Sequence, residues 1–100
     1  MPIRVVAVDD HFLVRAGIRS ILDGEGAISL VGEGECGADI HRLVQEHRPD
    51  VILLDLNIPA TVPGNGGGDE PDVFMVFPAI ARLRRDFPET KVIILSQYNT

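Results

Sequence analysis

One hundred residues, 45% of them hydrophobic and 24% charged, leave room for one folded domain and exclude both a disordered tail and a pair of domains. The formal charge of −6, from nine Lys and Arg against fifteen Asp and Glu, argues against direct binding to nucleic acid or an anionic membrane and points toward cations. No apolar run approaches the roughly 20 residues of a membrane span, Met1-Pro2-Ile3-Arg4 lacks the layout of a signal peptide, and one cysteine makes neither an internal disulfide nor a multi-thiolate site.

A cytoplasmic protein is therefore expected, with Cys36 a small residue at a turn or on the surface. In chain order, Ile3 to Val8 is a near-continuous aliphatic and β-branched run and reads as a strand buried on both faces. From Phe12 to Asp23, Leu13, Val14, Gly17, Ile18, Ile21 and Leu22 share one broad face while Arg15, Arg19 and Asp23 follow at i+4 on the other, which predicts an amphipathic helix. Ile28 to Val31 alternates more and sits among glycines, as expected of a strand at a sheet edge. Ala38 to His47 carries the narrower stripe Ile40, Leu43 and Val44 and is closed by Pro49.

Val51 to Leu54 and Val92 to Leu95 are again apolar runs that read as strands buried on both faces. Between them, Pro78 to Phe87 predicts a third helix, with Ile80, Leu83 and Phe87 inward, Arg82, Arg84 and Arg85 solvated, and Pro78 in the first turn. Strict alternation of buried strands with amphipathic helices implies parallel strands joined by right-handed crossovers, hence a doubly wound α/β sheet. Ligands in such sheets bind beyond the carboxyl ends of the strands.

The residues at those ends are Asp9-Asp10-His11, Asp55 and Ser96. Each has a bland reading: Asp10 as a helix N-cap, Asp55 as a turn former, Ser96 as a polar strand terminator. Chance would then have to place all of them at the same end of one sheet. Neighbouring strands lie about 4.8 Å apart, so the carboxylates would repel one another and raise at least one pKa. A hard divalent cation such as Mg²⁺ removes that conflict and leaves one carboxylate free to act as a nucleophile toward phosphorus.

Val8-Asp9-Asp10-His11 with Leu13-Val14-Arg15-Ala16-Gly17, then Arg48-Pro49-Asp50-Val51-Ile52-Leu53-Leu54-Asp55-Leu56-Asn57-Ile58-Pro59, then Val92-Ile93-Ile94-Leu95-Ser96, resembles the response regulator receiver family of two-component systems. The Asp-Asp-His start and the Arg-x-Gly beyond it resemble its LuxR-type branch in particular. The resemblance implies a flavodoxin-like sheet of order 2-1-3-4-5, with residues 1–100 as one receiver domain. It makes Asp55 the phosphoacceptor, Asp9 and Asp10 the pair that holds Mg²⁺, Asn57 a metal ligand through its backbone carbonyl, and Ser96 the hydroxyl that turns toward the phosphoryl group. Pro59 matches the proline that shapes the following loop; His11 and Arg15 match subfamily positions and read as local structure. Implied partners are a sensor histidine kinase as phosphoryl donor, a second copy in a homodimer, and DNA only through an output domain that these residues do not include. The activity expected is signalling that promotes its own phosphorylation and dephosphorylation, without turnover of a substrate.

Two departures from the family pattern stand out. The family's fifth strand, which supplies a lysine to the phosphoryl group, and its last helices are missing from the sequence, so the fourth strand is expected to leave Ile93 and Leu95 without full cover. The only lysine, Lys91, starts that strand and at about 3.3 Å per residue lies roughly 15 Å from Ser96. The connection over about 60–77 is longer than usual, with a glycine-rich part, Pro63 to Gly68, and an apolar part, Val73 to Phe77, that reads as an insertion with an apolar anchor. A phosphate-cradling glycine loop would want a following Lys-Ser or Lys-Thr. Rival functions are a cobalamin module, whose Asp-x-His-x-x-Gly loop fails at Val14, an aspartyl phosphatase, which wants Asp-x-Asp, and a receiver that keeps only a protein-interaction role.

Overall fold

The structure, a computed structural model, describes residues 2–61 and 75–95. Its elements are β1 (Ile3–Val8), α1 (Phe12–Asp23), β2 (Ile28–Gly34), α2 (Ala38–His47), β3 (Val51–Asp55), α3 (Val76–Asp86) and β4 (Lys91–Leu95). All strand pairings are parallel, and the order across the sheet is β2-β1-β3-β4. This is the doubly wound α/β arrangement, with helices on both sides of the sheet, over the strands that the described residues contain.

Strand alternation sorts the core. Val6, Val8, Ile52 and Leu54 face one way and join Ile40, Leu43 and Val44 of α2 with Val76 and Leu83 of α3 and Phe87 in one buried cluster. Full burial of such a side chain contributes about 1.5–3 kcal/mol, so this face supplies most of the hydrophobic stabilisation. Val5 and Ala7 face the other way and are also buried, on the side crossed by α1. The amino end of the sheet is closed by complete polar pairing: Arg4 N–H donates to Asp50 Oδ2 (2.9 Å), Lys91 N–H to the Asp50 carbonyl (2.9 Å), and Thr90 Oγ1 to the Pro49 carbonyl (2.8 Å).

Several expectations need correction. β4 is not buried on both faces: Ile93 is 48% and Ile94 39% exposed, because β4 pairs only with β3 among the described residues. The loss of cover thus falls on Ile93 and Ile94, with Leu95 half-buried. β2 runs on to Gly34, beyond Val31, after a register shift opposite Val5 and Val6. The third helix starts at Val76 rather than Pro78, since Val76 is buried in the core while Pro78, lacking an N–H, fits the first turn. On α1 the apolar face is wider than its contact: Phe12, Leu13 and Ile21 are exposed, while Arg19 is drawn down onto Glu33 of β2 in a bidentate ion pair. Cys36 is at a turn, as expected, but buried, its thiol 3.4 Å from Asp39 Oδ2. The glycine-rich part of the 60–77 connection and most of its apolar part lie outside the described residues.

Gly34 is where β2 hands over to α2, and its lack of a side chain is a steric requirement. A Cβ there would stand 2.8 Å from both Asp39 Cβ and Leu43 Cδ1. Its carbonyl also accepts the Asp9 N–H at 3.1 Å, so this close approach helps fix the end of β1. Gly34→Ala is expected to cost about 1–3 kcal/mol through overpacking, read as a lower urea midpoint with an unchanged m-value.

Candidate functional site

Parallel register decides which polar residues meet. Val8 pairs with Leu54, so one step further along both strands sets Asp9 beside Asp55, with Asp10 and His11 in the turn that follows. One ligand-capable atom from each of Asp9, Asp10, His11 and Asp55 lies within 4.8 Å of the others. Asp9 and Asp55 are 0% and 1% exposed, whereas Asp10 and His11 sit at the solvent side. The expected cluster of three carboxylates is therefore assembled at the carboxyl end of the sheet.

The bland readings hold only in part. Asp55 does close a turn: its Oδ1 accepts the Asn57 N–H at 3.2 Å. Asp9 does the same, its Oδ1 accepting the His11 N–H at 2.8 Å. Each turn uses one oxygen, and the second oxygens, Asp9 Oδ2 and Asp55 Oδ2, are buried with no hydrogen-bond partner among the described residues. An unsatisfied buried carboxylate oxygen costs free energy, so both point to a missing cation or donor. Asp10 is not an N-cap, because His11 occupies that position of α1.

The electrostatics follow from this crowding. Burial pushes the Asp55 carboxyl above the usual carboxylate range and the charges of Asp9 and Asp10 add to it, against the opposing Asn57 hydrogen bond. The His11 imidazole is raised by its hydrogen bond to Asp9 and by the charge of Asp10. Two oxygens without partners and an exposed third carboxylate form an all-oxygen donor set that fits a hard divalent cation.

Of the residues singled out from the sequence, Asp9, Asp10 and Asp55 come together, Asn57 adjoins them through its N–H, and Ser96 lies outside the described residues. Lys91 pairs with Val51 while Leu95 pairs with Asp55, which puts the lysine at the opposite end of the sheet, as expected. His11, read from the sequence as local structure, also stands in the cluster, its Nδ1 3.0 Å from both Asp9 Oδ1 and Asp10 Oδ1. The available signal was its position directly after the acidic pair at a strand's carboxyl end. Among the described residues no helix is long and apolar enough to cross a membrane.

A profile of the response regulator receiver domain matches residues 5–68. The response regulator protein VraR of Staphylococcus saprophyticus is 38% identical over 98% of this chain, which covers 41% of that protein. The signal receiver domain of the putative response regulator NarL from Mycobacterium tuberculosis superposes with a TM-score of 0.74 at 32% identity, over 99% of this chain and 69% of that one. The isolated receiver domain of RcsB from Salmonella enterica serovar Typhimurium, in the presence of the phosphomimetic BeF3⁻, gives a TM-score of 0.75 at 27% identity over 100% of this chain and 65% of that one. The chain spans about two fifths of the length of the curated relatives it matches. With the parallel sheet, the acidic cluster at its carboxyl end and the Asp9-Asp10-His11 and Arg15-x-Gly17 signature in place, the chain belongs to the response regulator receiver domain family, in its LuxR-type branch.

Proposed function

We propose that this chain is a phosphoacceptor receiver that takes a phosphoryl group from the phosphohistidine of a partner kinase onto Asp55. The observation that carries the reading is the pair of buried, unpartnered oxygens, Asp9 Oδ2 and Asp55 Oδ2, beside the exposed Asp10 carboxylate. Asp55 Oδ2 is the free oxygen and serves as nucleophile: its bond to phosphorus forms as the bond from phosphorus to the donor imidazole nitrogen breaks, and the electron pair leaves with that nitrogen. The Asn57 N–H holds the other oxygen, which fixes the carboxylate plane and leaves Oδ2 facing the cluster.

Asp9, Asp10, Asp55 and the Asn57 carbonyl are the residues to hold Mg²⁺, which when bound neutralises charge shared between the acceptor and the phosphoryl oxygens. The product adds about −1.5 to −2 charge to a place already rich in carboxylates. Ser96, directly after β4, is the hydroxyl assigned to meet one of the new oxygens. That meeting biases a two-state surface read by a second copy of the chain or by an output domain of the whole protein, through which DNA is reached. The presence of BeF3⁻ with the related RcsB receiver supports this use of the site.

Incubation with acetyl phosphate and Mg²⁺ is expected to add the mass of one phosphoryl group to the intact protein, and to add none to Asp55→Asn; labelling that persists in the variant sinks the assignment. Metal binding depends on Asp10 more than on Asp9, whose Oδ1 is already committed to the His11 N–H. Asp10→Ala is expected to weaken Mg²⁺ by about tenfold or more in calorimetric titration. The raised pKa of Asp55 carries a sign: its ionised form is disfavoured on folding, so stability is fullest below the unfolded carboxylate pKa and declines as pH rises through the higher folded value. In EDTA, Asp55→Asn is expected to be more stable than the parent at pH 8 by about 0.5–2 kcal/mol, with the gap closing toward pH 4. Equal urea midpoints at pH 8 would show that the crowding carries no penalty.

A further inference from the structure

α2 and α3 cover the same side of the sheet, yet their first halves do not close on each other. Between them is a cleft of about 250 Å³, floored by Ile40 and Leu83, each only 2% exposed, and walled by Gly37, Pro78 and Ala79. Protein interiors pack at crystal-like density, so an unfilled space of this size over two core residues is a departure, kept open by Gly37 and Ala79, which have little or no side chain. His41 and Arg82 stand at its rim. Arg82 meets Asp86 Oδ2 through Nε at 3.5 Å, His41 Nε2 meets the same oxygen at 3.4 Å, and Arg85 Nε meets Asp86 Oδ1 at 3.4 Å. One carboxylate thus answers two arginines and a histidine, which leaves the rim cationic in a chain whose formal charge is −6. Asp39, the acidic residue in the first turn of α2, does not offset it, because its oxygens are taken by the Glu35 N–H, the Cys36 thiol and Arg42.

We propose that this cleft binds a small organic anion, one carboxylate carried on a single ring or a short alkyl chain, with its apolar body on Ile40, Ala79 and Leu83 and its carboxylate at Arg82. The size sets the upper bound: pockets for drug-sized ligands run to about 300–1,000 Å³, and this cleft falls below that range. The charge sets the sign, and the planar fork of a guanidinium suits a carboxylate. An inorganic anion would leave the apolar floor uncovered, and a neutral hydrocarbon would leave the rim unanswered. Only an amphipathic anion uses both features, its charged end at the solvent side and its apolar end on the core. The site uses none of Asp9, Asp10 and Asp55, so it stands or falls apart from the phosphoacceptor reading.

Hydrocinnamate is the probe, with its neutral carboxamide, hydrocinnamide, as a control of equal size. In ¹H–¹⁵N correlation spectra, hydrocinnamate is expected to shift the backbone signals of Ile40, His41, Ala79, Arg82 and Leu83 along saturable curves, and hydrocinnamide to bind about tenfold more weakly. Arg82→Met removes the charge at an exposed helical position and keeps both an apolar stem and helix propensity, so the fold is retained. It is expected to lower the affinity for hydrocinnamate about tenfold and to leave that for hydrocinnamide unchanged. Ala79→Leu, which fills the cleft, is expected to abolish binding of both; if that variant does not fold, Arg82→Met decides alone. Equal affinity for the acid and the carboxamide, or unchanged affinity for the acid in Arg82→Met, overturns the proposal. Shifts that rise linearly to the solubility limit of the probe, or that map to Ile93 and Ile94 at the sheet edge instead of the cleft, overturn it as well.

Discussion

Like charge confined at one place is the constraint on which the rest of this structure depends. Parallel strands β1 and β3, held in register by Val8 against Leu54, leave Asp9 and Asp55 side by side under cover from water, with Asp10 at the rim. Mutual repulsion of the carboxylates opposes that arrangement. It persists because Val6, Val8, Ile52 and Leu54 beneath are packed against α2 and α3, and interiors packed at crystal-like density do not yield to relieve a strained rim. The core positions the charges, and their crowding in turn favours a cation among them.

The two ends of the sheet show the same chemistry resolved in opposite ways. At the amino end, Asp50 and Thr90 are answered by backbone partners within 2.9 Å, and the polar groups there serve only the fold. At the carboxyl end each buried aspartate spends one oxygen on a backbone N–H and keeps the other. The half that is spent fixes orientation, and the half that is kept leaves buried charge uncompensated. Removing either half should be felt differently, because one alters geometry and the other alters charge.

Much of this was legible in the sequence. The boundaries of β1, α1 and α2 follow from apolar period and from punctuation by Gly and Pro, and the cluster follows from asking what stands after each apolar run. What escaped has identifiable causes. Apolar content predicts that β4 is a strand but not which neighbours cover it, so the exposure of Ile93 and Ile94 is a property of the sheet's edge. The apolar stripe of α1 says which side faces inward but not how far inward, and Phe12, Leu13 and Ile21 stay outside. Cys36 is buried because Asp39 folds back over the turn, a contact with no periodic signature. Read from the sequence as local structure, His11 takes the N-cap position of α1, and that its ring turns onto Asp9 and Asp10 depends on what surrounds it rather than on spacing.

The backbone bonds from Gly37 N–H to the Pro59 carbonyl (2.7 Å) and from Ala38 N–H to the Ala60 carbonyl (2.9 Å) carry a separate consequence. They stitch the segment leaving Asp55 to the start of α2 before residue 62 is reached. The path of the backbone that leaves Asp55 is thereby anchored on α2 within five residues, so a shift of the start of α2 is carried straight to the turn that holds the Asp55 carboxylate.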